Sequence, residues 1–211
     1  MRKSLVKQNI GVAIMYPALP FQQYCIVCTM ILDKVKQNFQ PKLALMYSTT
    51  TLFRFAKAIS VAAIGLLSLL IVINNTTDYF TNYVFVEHVM KMDTTFPSSQ
   101  VHYRSIGSPF IYHAGYCFII LLEAIMAFCC LRGAWQMLRN INKDSLSFHQ
   151  SKNWAVAGIT IGIIIWFLGF EVIGGEWFAM WQSATWNGLG AAERIVSFLV
   201  LTLILLHSKD E

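Results

Sequence analysis

The sequence predicts an all-α fold, a four-span transmembrane helix bundle with both chain ends on the cytoplasmic side. Three observations predict it. Only 13% of the 211 residues are charged and 56% are hydrophobic, whereas a soluble domain carries roughly 25% charged residues. Four apolar runs each approach the about 20 residues that cross a bilayer core. The polar segments between them differ in charge in the way that orients a membrane protein. The net charge of +5 and pI near 9 do not indicate a nucleic-acid partner. The basic residues flank apolar runs instead of forming one patch, so membrane lipids are the expected surroundings.

The elements follow in chain order. Residues 1–45 form a non-conforming tail before a four-helix domain at 46–211. Pro17, Pro20, Gln22 and Gln23 interrupt its apolar residues, and its longest clean run, about 24–32, is too short to span. It lacks the cleavage-site pattern of a secretory signal. The functional chain is expected to start at or near Met46, which an intact mass decides. Cys25 and Cys28 form a CxxC without the helix start and supporting fold that a redox motif needs.

Span one is expected at about 54–74, headed by Arg54 and Lys57. The 75–110 connection carries Lys91 and Arg104 against Asp78, Glu87 and Asp93. Within it, Tyr79, Phe80, Tyr83, Val84, Val86, Val89 and Met90 have the spacing of a short amphipathic helix over 79–92. Span two follows at about 111–132, where Cys117, Cys129 and Cys130 read as small packing residues. The next connection carries Arg139, Lys143 and Lys152 against Asp144. Span three, about 154–173, holds Gly158 and Gly162 as GxxxG, with Gly169 one heptad on. Such spacing allows close helix approach, within the monomer or in a homo-oligomer. The 174–188 connection has no Lys or Arg, and span four runs over about 189–207. The positive-inside rule then gives an N-in/C-in topology, with 75–110 and 174–188 facing outward.

Of the ionisable residues inside the spans, three stand out, Glu123, Glu171 and Arg194, and such groups are functional candidates by default. Glu171 and Arg194 fall at matching depth, about 5 Å below the outer ends of spans three and four at the helical rise. An ion pair between them is the simplest expectation. Glu123 sits near the middle of span two, roughly 18 Å from its outer end, with no cation at that depth. It is expected as a neutral acid bonded to Ser60, Ser68 or a backbone carbonyl, with a proton relay as the alternative.

The outer segments collect the remaining unusual chemistry: Asp78, His88, His102, His113, Glu176, Trp177, Trp181 and Trp186. His88, Met90 and Met92 make an HxMxM of ligands suited to Cu(I). On a helix these alternate residues point apart, so no metal site is expected. No zinc, P-loop, GxSxG or GxGxxG motif is present, and no cofactor is predicted. The tryptophans of GGEWFAMWQSATWNG (174–188) read as an interfacial belt. Gly174 and Gly175 permit a sharp turn, and Glu176 is expected to point into the aromatic cluster near the Glu171–Arg194 pair.

The segments NNTTDYFTNYVFVEHVMKMDTTFP (74–97), YRSIGSPFIYHAGYCFIILLEA (103–124) and GGEWFAMWQSATWNG (174–188) resemble a bacterial family of predicted small integral membrane proteins, domain of unknown function 2165. The likeness covers about 50–206 and implies a four-span protein of the bacterial inner (cytoplasmic) membrane. It implies no activity. The leading expectation is a non-enzymatic binding or accessory protein whose outer face contacts a partner protein or a lipid-like ligand, through Glu176, Trp177, Trp181, Trp186, Asp78, His88 and His113. The alternatives are a redox, metal or quinone-linked accessory enzyme using His88, His102, His113 and Glu176, and a small proton-linked transporter working through Glu123.

Overall fold

The computed structural model describes residues 48–210, together with Met30, Asp33 and Lys34. The expectations for Cys25, Cys28 and the rest of the 1–45 tail lie outside the described residues. Helix α1 covers Thr49–Thr77 and starts where the Ser48 hydroxyl accepts the Thr51 N–H at 3.2 Å, the usual N-cap contact. Helix α2 covers Tyr79–Lys91 and ends at Met92, whose φ of 54° is left-handed. Helix α3, Pro109–Arg139, has proline in its first turn, where no N–H is needed. A short helix α4, Ser145–Gln150, is capped by Asp144, which accepts the Ser147 N–H at 2.9 Å. Helix α5, Asn153–Ile163, continues without a break as a π-helical segment over Ile164–Trp177. Helix α6 covers Leu189–His207. Among the described residues there is no strand.

Four of these helical stretches are long and apolar enough to cross a membrane. They pack as a ring, α1 on α3, α3 on α5, the π segment on α6, and α6 back on α1. Only 22–33% of each span's most apolar window is buried within the protein. The outward surface is Leu66, Leu70, Phe118, Phe128, Phe167 and Leu201, which is the composition that lipid solvates.

Small residues set the helix spacing. A Cβ at Gly158 would lie 2.5 Å from Cys130 Sγ, and one at Gly162 would lie 2.8 Å from both Met126 Cε and Leu199 Cδ1. The GxxxG therefore packs α5 against α3 and α6 of the same chain. Cys129 and Cys130 are buried packing residues, whereas Cys117 is exposed.

The end where α1 begins and α6 finishes closes on a polar cluster that hydropathy does not signal. Lys57 is 0% exposed and pairs with Asp210 at 2.5 Å. Lys152 pairs with the other Asp210 oxygen. Arg54 donates to the carbonyls of Ile141 (3.0 Å), Lys143 (2.6 Å) and Asp210 (2.7 Å), and its guanidinium lies over the buried Phe148 ring. Burial alone would raise the Asp210 carboxyl, but the hydrogen bonds from Lys152 and Lys57 outweigh it and hold the group below the usual range.

Candidate functional site

At the opposite, loop end, α2 packs across α3 and α1. Tyr83 and Val86 turn inward onto Tyr112 and Tyr116, while Phe80 faces outward. The turn after α2 is tied to the segment after the π helix. Thr94 and Ser183 hydroxyls meet at 2.8 Å, and the Phe96 N–H donates to Gln182 at 3.2 Å. Ser183 also accepts the Trp186 N–H at 2.8 Å. Ala179, at φ 50°, makes the sharp turn that sends Phe178 and Met180 inward. Both are buried.

Two cavities lie beneath this cover. The first, about 280 Å³, is an apolar groove between α2, α3 and the π segment, with Met90, Gly115, Gly169 and Met180 in its wall and the exposed side chains of Phe118, Leu168 and Ile173 along its rim. The second, about 360 Å³, is central. Asn75 of α1, Tyr116 and Glu123 of α3, Trp166 of the π segment and Ala191 of α6 all line it, under Asn82 of α2. Phe85, Val86, Ile119 and Phe170 line both, so one layer of side chains separates them. Each is near the lower end of the size range of small-molecule sites.

Glu123 is the chemical centre of the second cavity. It is 2% exposed. Its Oε2 accepts from Asn75 Nδ2 at 2.8 Å, and Tyr116 donates to the Asn75 carbonyl at 3.3 Å. Ser68 does bond Glu123, as the sequence suggested, but to its main-chain carbonyl at 2.8 Å. The carboxyl partner is Asn75, which helix α1 carries inward because it runs on to Thr77. One turn beyond Glu123, Met126 packs tightly with Gly162 and Leu199.

The expected Glu171–Arg194 ion pair is absent among the described residues. Arg194 is exposed, and Glu171 keeps one buried oxygen without a hydrogen-bond partner. The reason is the winding. A π helix bonds i to i+5, so each residue turns less than in an α helix, and facing read at 3.6 residues per turn goes wrong over Ile164–Trp177.

The loop candidates separate. Trp177 and Trp181 are 52% and 50% exposed, and Arg104 covers the Trp177 ring at 4.9 Å. Glu176 does not point into the aromatic cluster. It is exposed, and only its carbonyl is engaged, by Arg104 at 3.4 Å. The residues of this loop that line a cavity are Gly174, Phe178 and Met180 in the first and Gly188 in the second. Trp186 stacks on His88 at 4.5 Å, and His88 bonds Asp93 at 2.8 Å. His113 bonds Tyr79 at 2.8 Å and stacks on Tyr83 at 4.2 Å. Burial, with lesser effects of the neighbouring Cys117 and Tyr83, pushes the Tyr79 phenol up to about 12. His102 bonds the Phe96 carbonyl at 3.2 Å, and Asp78 is exposed at the junction of α1 and α2. The HxMxM ligands diverge, His88 to Trp186, Met90 to the apolar cavity and Met92 onto Phe178. Among the described residues no three of His, Cys, Asp and Glu converge.

A family model described as "Predicted small integral membrane protein (DUF2165)" matches residues 53–209. No curated protein and no solved structure matches the chain.

Proposed function

The chain belongs to the DUF2165 family of predicted small integral membrane proteins, and from that premise we propose that it is a non-enzymatic membrane protein that binds a lipid-like amphiphile inside the bundle. One observation carries this reading: a cavity of mixed lining that includes Glu123, Asn75 and Asn82 adjoins an almost wholly hydrophobic one across Phe85, Val86, Ile119 and Phe170. An apolar site with a few convergent polar groups is the usual form of a small-molecule pocket. An amphiphile would lay its apolar body against Leu168, Gly169 and Met180 and its polar end toward Glu123 and Asn75. A partner protein on the loop face is less favoured, because the exposed chemistry there, Glu176, Trp177 and Trp181, forms no convergent set.

The proposed setting is the bacterial cytoplasmic membrane, with the termini and the Arg54, Lys57, Arg139, Lys143 and Lys152 end inside and the cavities near the outer face. A proton-linked path through Glu123 is disfavoured by the packing of Met126, Gly162 and Leu199 beneath it.

Gly169 supplies the test. A Cβ there would meet only the Ile164 carbonyl oxygen, at 3.7 Å, so a larger side chain can occupy the cavity without a clash at its root. Native mass spectra of wild-type protein released from membranes are expected to show a bound small amphiphile, and Gly169→Phe to lose it while folding normally. A wild-type spectrum of bare protein, or equal occupancy in both proteins, would refute the reading.

A further inference from the structure

The walls of the central cavity specify the charge of what they hold. Four aromatic residues line it, Phe85, Tyr116, Trp166 and Phe170. Three of them stack on one another, Trp166 on Phe170 at 4.8 Å and Phe170 on Phe85 at 6.2 Å. Glu123 lies among them, almost wholly buried. Asn75 satisfies only its Oε2. No lysine or arginine lines the cavity, and no ion pair reaches Glu123 among the described residues; the paired cations Lys57, Lys91 and Lys152 are committed elsewhere.

A buried acid without a counter-charge is costly. A ring-lined cage with one carboxylate is the arrangement that recognises an organic ammonium ion. The ring faces are negative and attract a cation within about 6 Å of their centroids, and a weakly hydrated ammonium loses little on leaving water. A bare sodium or calcium ion asks for a close shell of six or more oxygens. One carboxylate and scattered amides around a space of about 360 Å³ do not supply that shell. An anionic headgroup would face Glu123 with no cation between them.

We propose that the central cavity is a binding site for an organic ammonium group, the polar end of the amphiphile assigned above, with Glu123 as its counter-ion and Trp166, Phe170, Phe85 and Tyr116 as its aromatic cage. The inference rests on the amphiphile reading and adds the chemical class of the headgroup. Asn75 orients the carboxylate. Asn82 of α2 lines the cavity on its loop side, and the apolar compartment adjoins it across Phe85, Val86, Ile119 and Phe170.

The test is titration of the purified full chain in maltoside micelles with tetraethylammonium, which is water-soluble and too polar to act through the micelle. Tryptophan fluorescence reports binding, because Trp166 lines the cavity, and calorimetry checks it. The expected result is saturable binding by wild type, weakened at least about tenfold by Glu123→Gln and several-fold by Trp166→Leu, the size of effect that cation–π and ion contacts give. Unfolding curves of both variants confirm that each folds. Wild-type affinity in folded Glu123→Gln would overturn the assignment. So would displacement by equimolar sodium chloride, which would mark a site for inorganic cations. Absence of tetraethylammonium binding, while Gly169→Phe still expels a co-purifying amphiphile, would overturn the ammonium headgroup and leave the amphiphile site standing.

Discussion

Removing the Asp210 carboxylate should unlock the terminal end of the bundle. In Asp210→Ala the ammonium of Lys57, whose side chain is 0% exposed, and that of Lys152, at 4%, lose their shared counter-ion. Each keeps one strong carbonyl acceptor, Ser208 for Lys57 and Leu206 for Lys152, both at 2.7 Å. Two buried cations would then face each other beside the Arg54 guanidinium. Breaking a buried pair by deleting one member costs about 3–5 kcal/mol, and the remaining carbonyl bonds keep the loss toward the lower end. The assay is reversible denaturant unfolding in micelles, read by tryptophan fluorescence. Asp210→Asn, which keeps an acceptor but not the charge, should fall between wild type and Asp210→Ala.

The same carboxylate gives a pH signature with a definite sign. Its folded value lies below its unfolded one, so its stabilisation is complete above about pH 4, the unfolded aspartate value. It is lost as pH falls through the lower folded value. Wild type should therefore lose stability on acidification in a step that Asp210→Ala lacks. Equal stability of Asp210→Ala and wild type at pH 7 would refute the buried clasp.

Other expectations follow from the packing. Gly158→Leu forces a side chain into Cys130 and should cost about 1–3 kcal/mol as overpacking, seen as lowered thermal stability without a change in secondary structure. Trp186→Ala removes the stack on His88 and the edge contact with Phe85, a loss of about 1–3 kcal/mol by thermal unfolding. Trp177→Ala and Trp181→Ala, on exposed rings, should each change thermal stability by less than about 1 kcal/mol, the usual range for surface substitutions. Tyr79→Phe deletes the bond to His113 and should cost about 1 kcal/mol; unchanged His113 imidazole resonances in that variant would contradict the contact.

The parts of this fold that were legible in the sequence are those set by local pattern. Four apolar runs of bilayer length mark the spans, and the spacing of Tyr83, Val86 and Val89 marks α2. The GxxxG of α5 signals close packing, although its partners, Cys130, Met126 and Leu199, are set by the fold. The terminal clasp was hidden because Asp210 lies 153 residues from Lys57, and hydropathy reads both only as flanking charges. Glu171 was misplaced because a π-helical turn leaves no mark in a hydrophobic run. Asn75 was assigned to a loop because span one was ended at 74, three residues before the helix ends at Thr77. The cavities were invisible for a further reason. They are spaces between side chains of different helices, the first beside Gly115 and Gly169, and no residue pattern encodes a void between helices.

The internal site can be located directly by photolabelling. A long-chain alkylamine carrying a diazirine near its amine, irradiated with the full-length protein in micelles and followed by peptide mapping, tests where the amphiphile sits. Labelling is predicted on the segments bearing Tyr116–Glu123 and Ile164–Phe170, and its suppression by Gly169→Phe. Labelling confined to Trp177 and Trp181 would place binding on the loop surface and contradict the internal site.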